Sequence, residues 1–242
     1  MRKLILTALL APSLLLLFTG VSFAADIHQP KSVMELYTSQ GCSSCPPADR
    51  LMGDLVKDKD VLGLSFAVTY WDYIGWKDTF GSPANDARQA HYRDSFHARY
   101  VYTPQMVVDG RTHVVGSDRN GVTALLDKDE AAAPPLTLAW NRKGDILEVD
   151  LPQGSEEAQI WLFGYDTAKS VNVGRGENSG RSLTYHNIVR DIHDAGSWDG
   201  SPRKLELDLT KMRAEGRDGC AFIIQKANYG PVFAALNIPL SN

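Results

Sequence analysis

MELYTSQGCSSCPPADRLM, residues 34–52, carries the clearest structural signals in this chain. Two of the three cysteines, Cys42 and Cys45, lie three positions apart within it. The residues that lead to them, SVMELYT (32–38), are apolar and β-compatible, and they run into the polar, glycine-containing SQG. This pattern is typical of a buried strand that leaves the core at a loop.

The residues after the cysteine pair have helical spacing. Apolar side chains recur on one face of the predicted helix, namely at Leu51, Met52, Leu55 and Val56. Pro46 and Pro47 fit only a first turn, because the N–H groups that they lack have no intrahelical partner there. The sequence therefore predicts the cysteine pair at a strand-to-helix turn, at or just before the N-terminus of the helix.

Residues 1–24 have the composition of a secretory signal peptide. Arg2 and Lys3 form a short positive region, Leu4 to Phe18 are almost all apolar, and small residues lead up to Ala24. A transmembrane anchor is the alternative, but a proline interrupts the apolar run and small residues follow it. We therefore expect cleavage after Ala24, a periplasmic or secreted protein, and no membrane anchor after cleavage.

Composition limits the classes of function. The formal net charge is −4 at pH 7, so no basic patch indicates a nucleic-acid partner. A chain of 242 residues is long enough to bury a full core without covalent staples. Three cysteines are too few for a disulfide framework in an oxidising compartment, which favours a redox or metal role for the close pair.

The first half alternates strands and helices. VLGLSFAV (61–68) is predicted as a second buried strand, and an aromatic loop, TYWDYIGWKDTF, follows it. The Ser-Pro pair at 82–83 begins a helix, two β runs flank the hairpin signal Asp109-Gly110, and GVTALLDKDEA is a closing helix. The predicted order is β-α-β-α-β-β-α, an α/β domain within residues 25–132.

The second half has a different pattern. The prolines of AAAPP (131–135) end the helix and predict a linker. From Leu136 onward, alternating runs are separated by turn signals at the spacing of an antiparallel sandwich or barrel. The strand candidates are the hairpin LTLAWNRKGDILEVDLP, then AQIWLFGYD, KSVNVGR, RSLTYHNIVRDI, RKLELDLT and CAFIIQKA. We predict an antiparallel β-rich, sandwich-like domain over residues 133–242.

A Cys-x-x-Cys pair at a helix N-terminus suits thiol–disulfide exchange. The helix dipole and the unpaired N–H groups of the first turn stabilise a thiolate on Cys42. Cys45, one turn along, attacks the mixed disulfide that Cys42 forms with a partner. An inert disulfide is a second interpretation, although so short a loop constrains the unfolded chain little. A copper site is the remaining interpretation, and His113 is the best of the histidine candidates for a ligand in addition to the two thiolates.

Together with this order of elements, VYTPQMVVDGR (101–111) resembles the thioredoxin-like fold. In that fold a cis-proline precedes the third core strand and lies against the Cys-x-x-Cys pair. The resemblance implies that Thr103-Pro104 occupies this position, and that the backbone of Thr103 pairs with the substrate chain. A proline at the start of a strand and a cis X-Pro bond are both physically allowed.

Several motifs resemble a family of secreted bacterial proteins named as a domain of unknown function, DUF1223. They are ELYTSQGCSSCPPADRLM, YWDYIGWKDTFGSPANDARQ, YTPQMVVDGR, VGSDR and GRGENSGRSLTYHNIVR. The resemblance covers nearly the whole chain after residue 24 and implies a thioredoxin-like structure without assigning an activity. One departure is Ala67-Val68-Thr69, where the family pattern has His-Val-Asp, so a histidine-assisted mechanism is not expected here.

Two sets of side chains near the pair have open roles. Glu35, on the strand that leads to the cysteines, is a candidate proton acceptor for the resolving thiol; the alternative is an exposed glutamate at a strand end. Trp71, Tyr73 and Trp76 are candidates for a substrate groove. The alternative is a loop that packs its rings into a small core of its own.

Two features of the second half also have alternatives. The glycine-rich turn in GRGENSGRSLTYHNIVRD (174–191) is either a surface that docks on the first domain or a hairpin whose polar residues bond their own backbone. Cys220 precedes the apolar AFIIQ, and we expect it to be buried and inert rather than linked to another molecule.

The functional hypothesis is a periplasmic or secreted thiol–disulfide oxidoreductase that acts on protein or small-thiol substrates. Cys42 attacks, Cys45 resolves, and Thr103-Pro104 guides the substrate backbone. No cofactor and no metal is needed, because the pair itself carries two electrons, but a redox partner must recycle it. The alternative hypothesis is a non-catalytic binding module of the same fold, with the pair as a copper site or an inert disulfide.

Overall fold

The computed structural model describes residues 26–130 and 136–240. The predicted signal peptide, residues 1–24, and the predicted linker, residues 131–135, lie outside these ranges. Within them, no helix is both long enough and apolar enough to cross a bilayer.

In the described part of the first half, helices alternate with strands. The elements are β1 (Ser32–Thr38), α1 (Pro46–Leu55), β2 (Val61–Ala67), a 3₁₀ turn (Asp72–Ile74), α2 (Pro83–Ser95), β3 (Gln105–Val108), β4 (Thr112–Val115) and α3 (Arg119–Glu130). The predicted order of strands and helices is confirmed. Ser82 caps α2, because its Oγ accepts a hydrogen bond of 3.2 Å from the N–H of Ala84. Asp109 and Gly110 have the positive φ of a hairpin turn.

The second half consists almost wholly of strands. The elements are β5 (Ala139–Lys143), β6 (Ile146–Leu151), β7 (Ala158–Asn172), β8 (Ser182–Trp198), β9 (Arg203–Asp208), α4 (Thr210–Ala214), β10 (Gly219–Lys226) and β11 (Val232–Pro239). AQIWLFGYD and KSVNVGR are not separate strands, because pairing with β8 continues through Ala168 and keeps β7 in one piece. The periodicity predicts neither α4 nor β11.

Eight strands form one sheet in the order β11-β10-β7-β8-β2-β1-β3-β4. β1 and β2 are parallel, and β2 meets β8 in parallel at one pair, Ser65 with Ile188. The other neighbours in this sheet are antiparallel. A second sheet has the order β5-β6-β9. The fold is therefore mixed α/β with a large, mostly antiparallel sheet, in which strands of the second half continue those of the first.

Both faces of β1 are covered. Met34 and Leu36 pack in one buried cluster with side chains of α1 and α3. Val33 and Tyr37 point the other way and pack with Tyr92 of α2. This division follows from the two-residue period of a strand. It also explains why residues 33–37 are apolar apart from Glu35, since a strand buried on both faces needs apolar residues at successive positions.

The two sheets pack against each other through β10. Its alternate residues Cys220, Phe222 and Ile224 share one buried cluster with Leu147 and Val149 of β6. Cys220 is buried and free, as expected, and burial raises the pKa of its thiol to about 12. A thiol of this kind is protonated at neutral pH and does not react as a nucleophile.

Candidate functional site

The Cys42–Cys45 disulfide lies in the turn between β1 and α1. The two sulfur atoms are bonded and the Cα atoms are 5.4 Å apart. Cys45 is the N-cap residue of α1, and its carbonyl oxygen accepts hydrogen bonds from the N–H groups of Ala48 at 2.8 Å and of Asp49 at 3.1 Å. The predicted position at a strand-to-helix turn is thus confirmed.

Both cysteines are buried: Cys42 is 1% exposed and Cys45 is 0% exposed. The hydroxyl of Ser44 lies 3.4 Å from Sγ of Cys42. Because a disulfide sulfur carries no proton, this hydroxyl donates the hydrogen bond. Together with the N-terminal end of the α1 dipole, it favours negative charge on Sγ of Cys42 once the disulfide opens.

Asp49 is a buried carboxyl group one helical turn after Cys45. Residues four apart lie on the same helix face with Cβ atoms about 5–6 Å apart, so these two side chains share the buried face of α1. Oδ1 of Asp49 accepts a hydrogen bond of 2.7 Å from Oγ1 of Thr38, and Oδ2 has no hydrogen-bond partner among the described residues. Burial, reinforced by the nearby Asp78, raises the pKa of Asp49 to about 8. The carboxyl group is therefore mostly protonated at neutral pH.

Two further buried polar groups surround Asp49. Asp78 accepts hydrogen bonds from the N–H groups of Gln40 at 2.7 Å and of Phe80 at 2.9 Å, and burial raises its pKa. The hydroxyl of Tyr185 is buried and unpaired within the described ranges, and burial, followed by the charges of Asp49 and Asp78, raises its pKa. Unpaired polar groups cost stability, and groups with such perturbed pKa values concentrate at functional sites.

The sequence pattern did not single out Asp49 or Tyr185. An acidic residue in the first turn of a helix is ordinarily an exposed partner of the helix dipole. The signal that points to Asp49 is its spacing of four residues from Cys45 on the face that also carries Met52, which is buried. No comparable signal exists for Tyr185, because β8 brings it to the site from far along the chain.

The Thr103–Pro104 peptide bond is cis, in agreement with the resemblance. Oγ1 of Thr103 accepts a hydrogen bond of 2.7 Å from Nε1 of Trp71. A Cβ atom on Gly116 would lie 3.3 Å from the Cβ atoms of both Pro104 and Ala48. Pro104 therefore lies beside the first turn of α1, which carries the cysteine pair.

The aromatic segment after β2 borders the cysteine turn. A Cβ atom on Gly41 would lie 2.9 Å from Cβ of Trp71, so the two backbones approach closely here. Tyr73 is 81% exposed and stacks on Trp71 with the ring centroids 6.4 Å apart. Trp76 donates a hydrogen bond of 2.8 Å from Nε1 to Oε1 of Gln40. The three rings predicted to line a groove thus lie along this turn, with Tyr73 exposed.

Glu35 lies on the face of β1 that points to α2, away from the cluster that contains α1. It is 1% exposed, so the alternative of an exposed residue is wrong. Arg88 donates to both of its carboxylate oxygens, from Nε at 2.6 Å and from Nη2 at 2.7 Å. The hydroxyls of Tyr37 and Tyr92 also donate to it, at 3.0 and 2.6 Å. Its role as a proton acceptor stays a prediction, and its observed partners belong to the aromatic core.

The tip of the β7–β8 hairpin, residues 173–181, docks on the cysteine turn. Asn178 is fully buried, and its Nδ2 donates hydrogen bonds to the main-chain oxygens of Gln40 at 3.0 Å and of Cys42 at 2.9 Å. Its Oδ1 accepts a hydrogen bond of 3.0 Å from Nη1 of Arg181. Both alternatives for this glycine-rich turn are observed: Asn178 docks on the cysteine turn, and the hydroxyl of Ser179 bonds the tip's own backbone at the carbonyl oxygen of Gly174.

A metal site finds little support in the geometry. Across residues 26–130 and 136–240, no three His, Cys, Asp or Glu side chains are grouped as metal ligands. His113 instead lies 2.8 Å from the hydroxyl of Tyr102 through its Nδ1, and burial lowers its pKa.

The chain is similar to one family model and to solved structures. The model described as "Protein of unknown function (DUF1223)" matches residues 33–225. No curated protein matches the chain.

Two solved structures resemble this one. The crystal structure of an Agrobacterium tumefaciens protein, a target of the Northeast Structural Genomics Consortium, is 33% identical, and the match covers 89% of this chain and 96% of that chain with a TM-score of 0.78. HBP35 of Porphyromonas gingivalis is 13% identical, and the match covers 86% of this chain and 74% of that chain with a TM-score of 0.54. At that identity, the second likeness concerns the fold alone.

Proposed function

Because this chain belongs to the DUF1223 family, whose description assigns no activity, we propose a function from its own geometry: it is a thiol–disulfide oxidoreductase that works through Cys42 and Cys45. Its substrates are protein disulfides or small thiols. A redox partner of the same thiol chemistry returns the pair to its starting state.

The observation that carries this proposal is a buried carboxyl group near the disulfide: Oδ1 of Asp49 accepts a hydrogen bond, and Oδ2 has no partner among the described residues. A disulfide that only stabilises the fold gains nothing from Asp49, whose burial costs free energy. A disulfide that opens and closes in a buried site needs a proton donor and acceptor close to the leaving sulfur. The position of Asp49, buried and four residues after Cys45, supports this role.

In the first step, the thiolate of reduced Cys42 attacks one sulfur of a substrate disulfide. A bond forms between Cys42 and that sulfur, the substrate S–S bond breaks, and the other substrate sulfur leaves as a thiolate. The hydroxyl of Ser44 and the N-terminus of α1 stabilise the attacking thiolate of Cys42.

In the second step, Cys45 resolves the mixed disulfide. Oδ2 of ionised Asp49 takes the proton of the Cys45 thiol, and the resulting thiolate attacks Sγ of Cys42. The Cys42–Cys45 bond re-forms and the second substrate sulfur leaves as a thiolate, so the substrate gains two electrons and the protein loses two. In the opposite direction, protonated Asp49 supplies a proton to the departing Cys45.

The surface around the pair supplies substrate contacts in this scheme. The backbone at Thr103 and Pro104 guides the substrate chain past the sulfur of Cys42. The exposed ring of Tyr73, stacked on Trp71, offers an apolar platform beside it. We assign Glu35 a structural role, since Arg88 and two tyrosines already occupy its oxygens.

The finer fold and the location of the protein belong to the same proposal. The order of elements through α3 supports a thioredoxin-like first half, and the cluster shared by the two sheets supports a sandwich-like second half. The composition of residues 1–24 supports export to the periplasm or the outside of the cell, where disulfides persist.

The test is the reduction potential of the Cys42–Cys45 couple in the mature protein, measured in glutathione buffers by counting alkylated thiols. A potential between about −120 and −270 mV is expected, the range of exchange catalysts. A potential well below about −300 mV would mean a permanent disulfide and would overturn the proposal.

One observation favours a second candidate, a binding module whose disulfide is inert. Both cysteines are almost completely buried, which is typical of a structural disulfide. The same measurement separates the two candidates, because an inert disulfide stays oxidised in every buffer in which an exchange catalyst is reduced.

A further inference from the structure

Cys42 is buried where the hairpin tip docks on the cysteine turn. Attack on a disulfide requires a sulfur atom to approach along the S–S axis, and a sulfur on a residue that is 1% exposed is closed to such an approach. In a protein that exchanges disulfides, something that covers Cys42 therefore has to move.

The hairpin tip has the contacts of such a cover. Nδ2 of Asn178 donates a hydrogen bond of 2.9 Å to the main-chain oxygen of Cys42. The neighbouring Glu177 accepts a hydrogen bond of 3.4 Å at Oε2 from the N–H of Ser43, which lies between the two cysteines. The tip thus bonds both to Cys42 and to the residue that follows it.

The tip buries few apolar side chains: Val173 packs in a cluster with Trp76, and the rest of the tip is held mainly by hydrogen bonds. Of its nine residues, only Val173 and Asn178 are buried. Gly176 and Gly180 have positive φ angles of 77° and 79°, a conformation that costs glycine little. Segments with few buried apolar contacts open locally at a small fraction of the free energy of global unfolding.

We propose that the hairpin tip, residues 173–181, is a displaceable cover that controls which thiols and disulfides reach Cys42, with Asn178 as its latch. This inference rests on the proposed exchange function of the Cys42–Cys45 pair and specifies how that site is regulated. With the tip in place, thiols cannot reach the cysteine pair. When the two hydrogen bonds of Asn178 break, the tip moves away and Sγ of Cys42 becomes exposed to solvent. Small thiols need only a partial displacement of the tip, whereas bulky ones need it to swing clear.

The experiment compares the rates at which two thiols reduce the disulfide: dithiothreitol, which is small, and a thiol-terminated polyethylene glycol, which is bulky. Asn178→Ala removes both hydrogen bonds, so we expect its rate constant to rise about tenfold or more, and more for the bulky thiol than for the small one. Ser179→Ala is the matched control, because Ser179 is exposed and its hydroxyl donates to the carbonyl oxygen of Gly174, which also lies within the tip. Its rates should equal those of the wild type.

Arg181→Ala is a second variant that tests the same proposal if Asn178→Ala folds poorly. Arg181 is exposed and orients Asn178 through Oδ1, so its removal should loosen the latch and raise both rate constants by a smaller factor. Equal rate constants in the wild type and in both variants would overturn the cover while leaving the exchange function in place. A pair that is reduced faster in the variants, yet never transfers its disulfide to a substrate, would support the cover and overturn the exchange function.

Discussion

Thr38, at the end of β1, donates a 2.7 Å hydrogen bond from Oγ1 to Oδ1 of Asp49 in α1. This bond fixes the carboxyl group inside the protein with its second oxygen unpaired among the described residues. A buried acid in this position is neutral unless the pH is high, and its neighbour one turn earlier on the helix is Cys45. Stability and exchange chemistry should therefore both depend on its protonation.

Asp49→Asn should change how stability depends on pH. The folded pKa of about 8 is far above the ordinary value of about 3.9, so the folded state binds more protons than the unfolded state between these values. The contribution of Asp49 to stability is thus fully present below about pH 4 and is lost as the pH rises toward and through about 8, with a slope of up to about 1.4 kcal/mol per pH unit between these values.

The free energy of unfolding in urea, measured from pH 4 to pH 9, checks this prediction. The variant should lose the part of the slope that Asp49 causes and should be more stable than the wild type at pH 9. Glu206→Gln, at an exposed position on β9, is the control and should leave the curve unchanged. Parallel curves for Asp49→Asn and the wild type would contradict the assignment.

The same substitution should slow the resolving step. Without a carboxylate to accept the proton of the Cys45 thiol, the mixed disulfide should persist, with a rate constant about 100-fold lower at neutral pH. Rapid mixing with a chromophoric disulfide measures attack and resolution separately. In the wild type the rate of resolution should rise with pH as Asp49 ionises, and the variant should lack this inflection. An unchanged pH profile would mean that Asp49 has only a structural role.

The two cysteines should behave differently when each is replaced by serine. Cys42→Ser removes the attacking sulfur and should abolish turnover, whereas Cys45→Ser should accumulate a mixed disulfide between Cys42 and the substrate. Mass spectrometry of the unreduced protein detects the trapped species. Cys220 should not interfere, because it is buried and its thiol stays protonated at neutral pH. Full exchange activity in either variant would refute the scheme.

Glu35→Gln should destabilise the protein without altering the chemistry of the pair. Arg88 is buried, and its guanidinium carbon lies within 4.7 to 5.8 Å of the centroids of five aromatic rings. Removal of one partner of a buried ion pair costs about 3–5 kcal/mol. Denaturant unfolding measures the loss, and the double variant Glu35→Leu with Arg88→Met should lose less than the sum of its single variants. A proton relay at Glu35 would instead change the pH profile of the resolving step.

Tyr73→Ala should weaken substrate binding and leave stability nearly unchanged. The side chain is 81% exposed, so its removal should alter the free energy of unfolding by less than about 0.5 kcal/mol. If the ring supports the substrate, KM for a peptide disulfide should rise severalfold while kcat changes little. Tyr100→Ala is the comparison, since Tyr100 is 70% exposed and lies outside the aromatic segment. Equal effects of the two substitutions on KM would mean that Tyr73 does not contact the substrate.

Local elements could be predicted because their signals are local. The bounds of β1 follow from an apolar run that ends at a polar, glycine-containing turn, and α2 begins where Ser82 and Pro83 predict it. β7 shows the limit of such signals. The sequence predicts two strands separated at Thr167 and Ala168, yet the pairing with β8 continues across these residues, and no local pattern contains that pairing.

The amino-acid pattern alone was enough to predict that a Cys-x-x-Cys pair lies between a buried strand and the first turn of a helix. Strand period, helix spacing and the restrictions on proline act over a few residues, so these features can be inferred without knowledge of distant contacts. Only the folded protein shows that Asp49 is buried, that Glu35 faces Arg88 rather than α1, and that Asn178 bonds the main-chain oxygen of Cys42. Each of these depends on free energies of burial and hydrogen bonding that arise only when segments distant in the chain pack together.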